Sequence, residues 1–448
     1  MESCNFTEIL AKNITKFPLS SVPAEAINEA KRSFLNWLGV TIGAINHSSV
    51  NMVLEIAEEI GGPPQATILG RKIKTDILFA SLINGMSSHI FDYDDTLLNT
   101  VLHPSAPVWP AILALGEYKN YSTKDLLAAF VLGCEVEQRI ALAIYPSHYD
   151  RGWHITGTVG AFGSASAVGK LLNLNEKQMI NALGLAATQP TGLREMFGTM
   201  TKPFHPGKAA SNGLLSALLA QKGFTSSTAS LEAKRGYCQV TSENPKLEII
   251  SEPWGDNWKI LENSYKPFAC GIVTHPGIDA GIKLNTLHKI KPEQIESISL
   301  EVHPLVLELT GKTEPRNQLE AKFSIYHCVA VAIIFGNASE RQFADEIVTR
   351  EDVINLRQKI KAKSNNSLKE DQVILSALLT NGEEIRICIE HAIGSKYNPM
   401  TNEQLELKFK EITSSILKPD LQTEIIKKIW HMDEDYNVRE LIELINKN

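Results

Sequence analysis

Positive charge is in deficit in this 448-residue chain. Lysine and arginine together number 44 against 51 acidic side chains, a formal net charge of -7. No overall basic field is available to hold a polyanion, so nucleic acid is excluded as an expected partner. Cysteine is sparse and scattered: Cys4, Cys134, Cys238, Cys270, Cys328 and Cys388 include no CxxC pair and no closely spaced group. Disulfide frameworks, structural zinc and cysteine-ligated iron-sulfur clusters all need clustering, which leaves reduced thiols in or near cores as the expectation. Long apolar runs are lacking too. No stretch approaches the roughly 20 residues of a membrane span, and residues 1–6 carry no basic start ahead of an apolar segment. A soluble, cytoplasmic protein with no membrane partner is expected.

What is present is ordinary globular composition, 43% hydrophobic and 21% charged, enough for more than one core. Residues 24–220 are dominated by helix-period apolar patterns rich in Ala and Leu, as at 126–142, 179–187 and 209–219. The character changes after Tyr265. Ile298, Leu300 and Val302 alternate with polar residues, the period of a half-buried strand. Two further alternating runs, 373–379 and 385–389, flank Asn381-Gly382, which predicts a β-hairpin. Helical stretches at 276–287 and 323–335 are interleaved with these strands. Beyond Pro399 the helical period returns, with Thr401 and Gln404 spaced as a capping box, and residues 361–369 are expected to be an exposed loop. The expected fold class is mostly α with an α+β second domain: residues 1–263 and 395–448 form a large all-helical domain, and 264–394 a smaller α+β domain.

Chemistry-bearing residues concentrate in four places. The first runs from Asn84 through His89, Asp92, Asp94, Asp95 and Thr96 to His103-Pro104-Ser105. Three carboxylates within four residues repel one another, so holding them together calls for a cation, a helix N-terminus or a catalytic purpose. The alternative is a solvated acidic turn in which Asp94 or Asp95 caps a helix. His89, Asp92 and His103 also form a possible two-histidine, one-carboxylate metal set, although no second ligand motif accompanies it. The second place is the glycine-rich run 152–163, with His154 just ahead of an Ala-rich helical pattern; a helix N-terminus there would suit a bound carboxylate. The third, 200–210, sets Lys202, His205 and Lys208 among Pro and Gly ahead of another helix. The fourth, 265–276, places Lys266 between Tyr and Pro, with Cys270 and His275 following.

In order and spacing, the strings NGMSSHIFDYDDT with HPS, GWHITGTVGAFGSASAVGKLLNL, MTKPFHPGKAASNGLLSALLAQKGF and YKPFACGIVTHPGIDA resemble the MmgE/PrpD family. The resemblance implies a helical domain built from the N-terminal part plus the C-terminal tail, an inserted α+β lid, a homodimer, and lyase or isomerase chemistry on small polycarboxylates without a metal or organic cofactor. It places the active site on Asp92, Thr96, His103, His154, Lys202 and Lys266. A lid tyrosine of decarboxylase members has no clear counterpart, since residues 307–312 here read LELTGK.

These residue types suit the reaction. Lys202, Lys266 and the helix N-terminus near Gly157 can pair with substrate carboxylates and stabilise developing negative charge. Removing a proton from carbon while protonating a departing hydroxide needs both a base and an acid. His103 and His154 are expected to be that pair, with Asp92 orienting one imidazole or acting itself as the base, and Thr96 binding substrate. The leading expectation is dehydration of 2-methylcitrate to 2-methylaconitate. Decarboxylation of cis-aconitate to itaconate, epimerisation of iminodisuccinate, and polycarboxylate binding without turnover are the alternatives.

Overall fold

The computed structural model describes residues 5–255 and 257–447; Cys4 and the rest of residues 1–4 lie outside that range. The chain divides into two compact units, one comprising the described residues up to Ile90, Asp94–Asn263 and those from Asn402 on, the other Phe91–Tyr93 and Ser264–Thr401.

The first unit is built around helix Ile155–Leu171, which is buried along nearly its whole length. A helix of small and apolar residues all round can only be a core element. It packs against Ser105–Lys119, Thr123–Ile144 and Thr201–Gln221, and the last of these also packs on Ile77–His89. The Ala-rich seam predicted at 209–219 is buried: Ala209, Ala210 and Ala217 are fully inside. The tail helix Asn402–Thr413 packs on Ala24–Ala44 through buried Leu405 and Phe409. Two expectations change in this unit. It is not purely helical, because Ala66–Ile68 and Ile73–Thr75 pair as a short antiparallel ribbon. The Lys202 motif does not precede its helix but forms its first turns, Thr201–Gln221. Pro203 is tolerated there because first-turn N-H groups have no intrahelical partner to lose.

The second unit holds a four-stranded sheet in the order Ile360–Ser364, Ile295–Val302, Val373–Leu379, Glu384–Ile389. The predicted hairpin is present, with Leu375 opposite Ile387 and Ala377 opposite Ile385. Helices His275–Thr286 and Ile325–Phe335 pack on each other, and the former also lies against the hairpin strands. Two expectations are corrected. Residues 361–364 are not loop but part of the edge strand, pairing parallel to Ile295–Val302. An edge strand has one neighbour and tolerates lysines facing water, so its polar composition disguised it. Cys388 is exposed, whereas Cys134, Cys238, Cys270 and Cys328 are buried free thiols as expected. Among the described residues no helix is long and apolar enough to cross a membrane.

Candidate active site

In the first unit, helix Ile77–His89 ends on His89, and the segment that follows from Asp94 to Pro104 leads into Ser105–Lys119. No helix begins at Asp94 or Asp95, and both are fully buried. The solvated-turn alternative therefore does not apply to them. Each of the three clustered carboxylates meets its own partner. Asp94 Oδ2 lies 2.7 Å from Nδ1 of His89 and 3.4 Å from Nδ1 of His103. Asp95 Oδ2 accepts hydrogen bonds from Ser105 Oγ at 2.6 Å, Asn263 Nδ2 at 2.6 Å and Ser33 Oγ at 3.3 Å. Burial nevertheless outweighs these bonds and pushes the Asp95 carboxyl up to about 6. Asp92 belongs to the second unit, where its Oδ2 lies 3.3 Å from the Lys266 ammonium.

The ring orientation of His103 follows from its neighbours. Its Nδ1 stands 2.8 Å from the backbone oxygen of Asp95, and a carbonyl can only accept. Nδ1 therefore carries hydrogen, and in the neutral ring Nε2 is the basic nitrogen. Thr96 Oγ1 sits 3.2 Å from the same Nδ1, while the His103 backbone N-H donates to Thr156 Oγ1 at 3.1 Å. His89 links the histidines: its ring is edge-on to His103 at 4.7 Å and stacked on His154 at 5.7 Å.

His154 is the N-cap residue of Ile155–Leu171, placed just ahead of the helix as the sequence indicates. Its Nδ1 lies 2.9 Å from Nδ1 of His205. Burial, reinforced by His89, His205, Lys202 and His103, holds the His154 ring well below the usual imidazole range, and burial with His89 and Lys202 brings His205 down to about 4. Both rings are neutral at pH 7. The Lys202 ammonium lies 5.3 Å from the centre of the Phe197 ring, whose plane meets His154 edge-on. Lys202 itself is only 6% exposed, far from the solvated surface lysine of ordinary composition.

In the second unit, three bonds hold residues Phe91 to Tyr93. Lys322 Nζ donates to the Phe91 carbonyl at 2.6 Å, Lys266 Nζ to the Asp92 carbonyl at 2.9 Å, and Tyr93 Oη to the Pro267 carbonyl at 2.6 Å. Asp92 takes a left-handed backbone, φ 52°, a conformation that Asp tolerates better than most residues but that still needs support.

The metal set changes membership. The three groups whose ligand atoms all lie within 4.8 Å of one another are His89, Asp94 and His103, with Asp94 in place of the expected Asp92, whose carboxylate is engaged by the Lys266 ammonium. A cation would need a lone pair on each imidazole. The hydrogen on His103 Nδ1 leaves only its Nε2 for that purpose, and the short His89 to Asp94 contact fits a hydrogen bond.

Sequence reasoning passed over Asp94 as the carboxylate beside the imidazoles, His205 as the partner of His154, and Lys322 altogether. His205 stood in a motif already singled out, five residues before Ala210 in the same run. Lys322 carried no signal beyond being a lysine, and only its 1% exposure reveals it.

Comparison with known proteins identifies the family. Residues 8–250 match the MmgE/PrpD N-terminal domain and residues 268–432 the MmgE/PrpD C-terminal domain. The chain is 26% identical to a cis-aconitate decarboxylase of Aspergillus terreus over 99% of its own length and 95% of that protein's. It is 25% identical to the Homo sapiens cis-aconitate decarboxylase, over 96% and 92%. To a 2-methylcitrate dehydratase of Salmonella typhimurium it is 23% identical, over 75% and 73%. With both domain models matched in order along most of its length, the chain belongs to the MmgE/PrpD family.

Proposed function

We propose that the protein is a lyase that dehydrates a small polycarboxylate of the 2-methylcitrate type by acid/base catalysis on its own side chains. One observation carries the reading: two buried imidazoles in the first unit, His103 and His154, are each anchored through Nδ1, so that Nε2 is the working nitrogen of both. Dehydration needs two proton-transfer groups. One takes the proton from carbon, and the other protonates the hydroxyl as the C-O bond breaks, leaving a C=C bond and water.

His103 Nε2 is basic in the neutral ring and acts as the base, with Asp94 stabilising the imidazolium that forms. His154 delivers a proton to the departing hydroxyl. Lys202 supplies fixed positive charge for a substrate carboxylate. Thr96 and Lys266 retain the substrate-binding roles that the family resemblance implies, with Lys266 as a carboxylate partner, and Asp92 is the alternative base. The reading also includes a homodimer in the cytoplasm, to be checked by light scattering and cell fractionation.

Decarboxylation is the second reading, favoured by relatives named cis-aconitate decarboxylase that align over nearly the full chain. It needs only one acid: as carbon dioxide leaves the methylene carbon the double bond shifts towards it and the former alkene carbon is protonated, which would leave one of the two imidazoles without a step.

A proton NMR time course on chelator-treated protein, with 2-methylcitrate, cis-aconitate and iminodisuccinate in separate samples, tests both. Loss of 2-methylcitrate with a new olefinic product is the expected result. Methylene signals of itaconate would replace dehydration by decarboxylation. Turnover that appears only when a divalent metal is added would overturn the metal-free mechanism and point to His89, Asp94 and His103.

A further inference from the structure

The pairing of His154 with His205 goes beyond the acid/base roles just assigned. His154 is held through its backbone, one ring face and Nδ1. Its backbone N-H donates to the Gly192 carbonyl at 3.1 Å, and its own carbonyl accepts from Gly157 N at 3.0 Å and Thr158 N at 3.2 Å. One face stacks on His89 at 5.7 Å, and Phe197 meets the ring edge-on at 5.0 Å. The Nδ1 edge is occupied by His205 Nδ1 at 2.9 Å.

The slot that admits His205 is made by two glycines from two different segments. Gly192 takes φ 111°, and a Cβ there would fall 2.6 Å from His205 Nδ1. At Gly157, in the first turn of Ile155–Leu171, a Cβ would fall 2.9 Å from His205 Cβ and 2.1 Å from the Thr191 carbonyl. Any side chain at either place would collide with the imidazole or its support. His205 is 3% exposed, so its partner on the Nδ1 side is His154 and not bulk water.

An N-H···N bond between two neutral imidazoles needs one Nδ1 bearing hydrogen and one bearing a lone pair. Two rings that both carried Nδ1 hydrogens would clash at 2.9 Å. The state of one ring therefore dictates the tautomer of the other. With His205 as donor, His154 keeps its hydrogen on Nε2 and presents an acid there.

We propose that His205 is a positioning residue for His154: by donating its Nδ1 hydrogen to His154 Nδ1, it fixes the tautomer in which Nε2-H faces the reaction. The proposal rests on the acid role given to His154, and its test separates the two. A histidine that merely fills the core would be replaceable by any side chain of similar volume, whereas a tautomer-setting histidine needs a donor.

The experiment compares wild type with H205Q, whose amide can still donate to Nδ1, and H205L, which cannot; H205F, filling the slot with an apolar ring, replaces H205L should the leucine variant not fold. Steady-state kinetics on the substrate turned over by wild type are read beside the nitrogen-15 NMR spectrum of histidine-labelled protein, with His154 assigned from H154N. H205L is expected to lose about 100-fold in kcat with KM within about twofold, and H205Q to recover at least about tenfold of that loss. His154 should appear as a single Nε2-H tautomer in wild type and H205Q and as a tautomer mixture in H205L. Equal losses in H205Q and H205L, wild-type kcat in H205L, or a His154 signature unchanged in H205L would overturn the proposal. A wild type that turns over none of the polycarboxylates would remove the acid role while leaving the tautomer comparison decisive for the pairing.

Discussion

Asp94 holds two histidines at once: its Oδ2 lies 2.7 Å from Nδ1 of His89 and 3.4 Å from Nδ1 of His103, with all three side chains buried. A buried carboxylate beside an imidazole stabilises the imidazolium that forms when the ring takes a proton. Asp94→Asn keeps the shape and removes the charge. The expected result is a fall in kcat of about 100-fold or more with little change in KM, since the charge acts on proton transfer and not on substrate carboxylates. Steady-state kinetics with the NMR-identified substrate measure it. A variant with wild-type kcat would show that His103 does not become charged in the reaction.

Lys322 is a second point of leverage. Its ammonium bonds the Phe91 carbonyl at 2.6 Å and pairs with the Glu340 carboxylate, and it is 1% exposed. Replacing it by methionine removes one of the three bonds on residues 91–93 and leaves Glu340 without its cation. The lysine is buried but the Glu340 side chain is 25% exposed, so a loss of about 2 kcal/mol in unfolding free energy, between the exposed and the fully buried cases, is expected from urea melts. Adding Glu340→Gln to Lys322→Met should return part of that loss, because the stranded charge is gone. If the double variant is no more stable than the single, the ion pair is not the source of the effect.

Much of this was legible beforehand because it depends on local pattern. The alternation at 298–302 and the Asn381-Gly382 turn announced strands that side-chain period alone dictates. His154 at a helix start and His103 after the acidic run were readable from glycine, proline and spacing. Assignments that needed three dimensions were not readable. Asp92, Asp94 and Asp95 are equivalent as letters, and only the turn at Asp92, φ 52°, separates the carboxylate that meets Lys266 from the one that meets His89 and His103. His205 and His154 are 51 residues apart, and no periodicity joins them. The polar strand Ile360–Ser364 was read as loop because an edge strand obeys no hydrophobic alternation.

Glu137 offers a pH test away from the imidazoles. It is fully buried on Thr123–Ile144, and burial, with Asp95 adding repulsion, outweighs a hydrogen bond with the Cys134 thiol and holds its carboxyl well above the usual range. A carboxyl whose folded-state pKa is raised favours the protonated form on folding. Its contribution is fully present below the ordinary glutamate pKa and is lost as pH rises from there through the raised folded value. Stability of the wild type should therefore fall between pH 5 and pH 8 relative to Glu137→Gln, which has no charge to bury. The gap should widen by at least about 1.4 kcal/mol, the equivalent of one pKa unit. Urea unfolding of both proteins at the two pH values provides the measurement. Parallel pH profiles would mean that Glu137 ionises as readily in the folded protein as in the unfolded chain, through a partner that its buried position does not reveal.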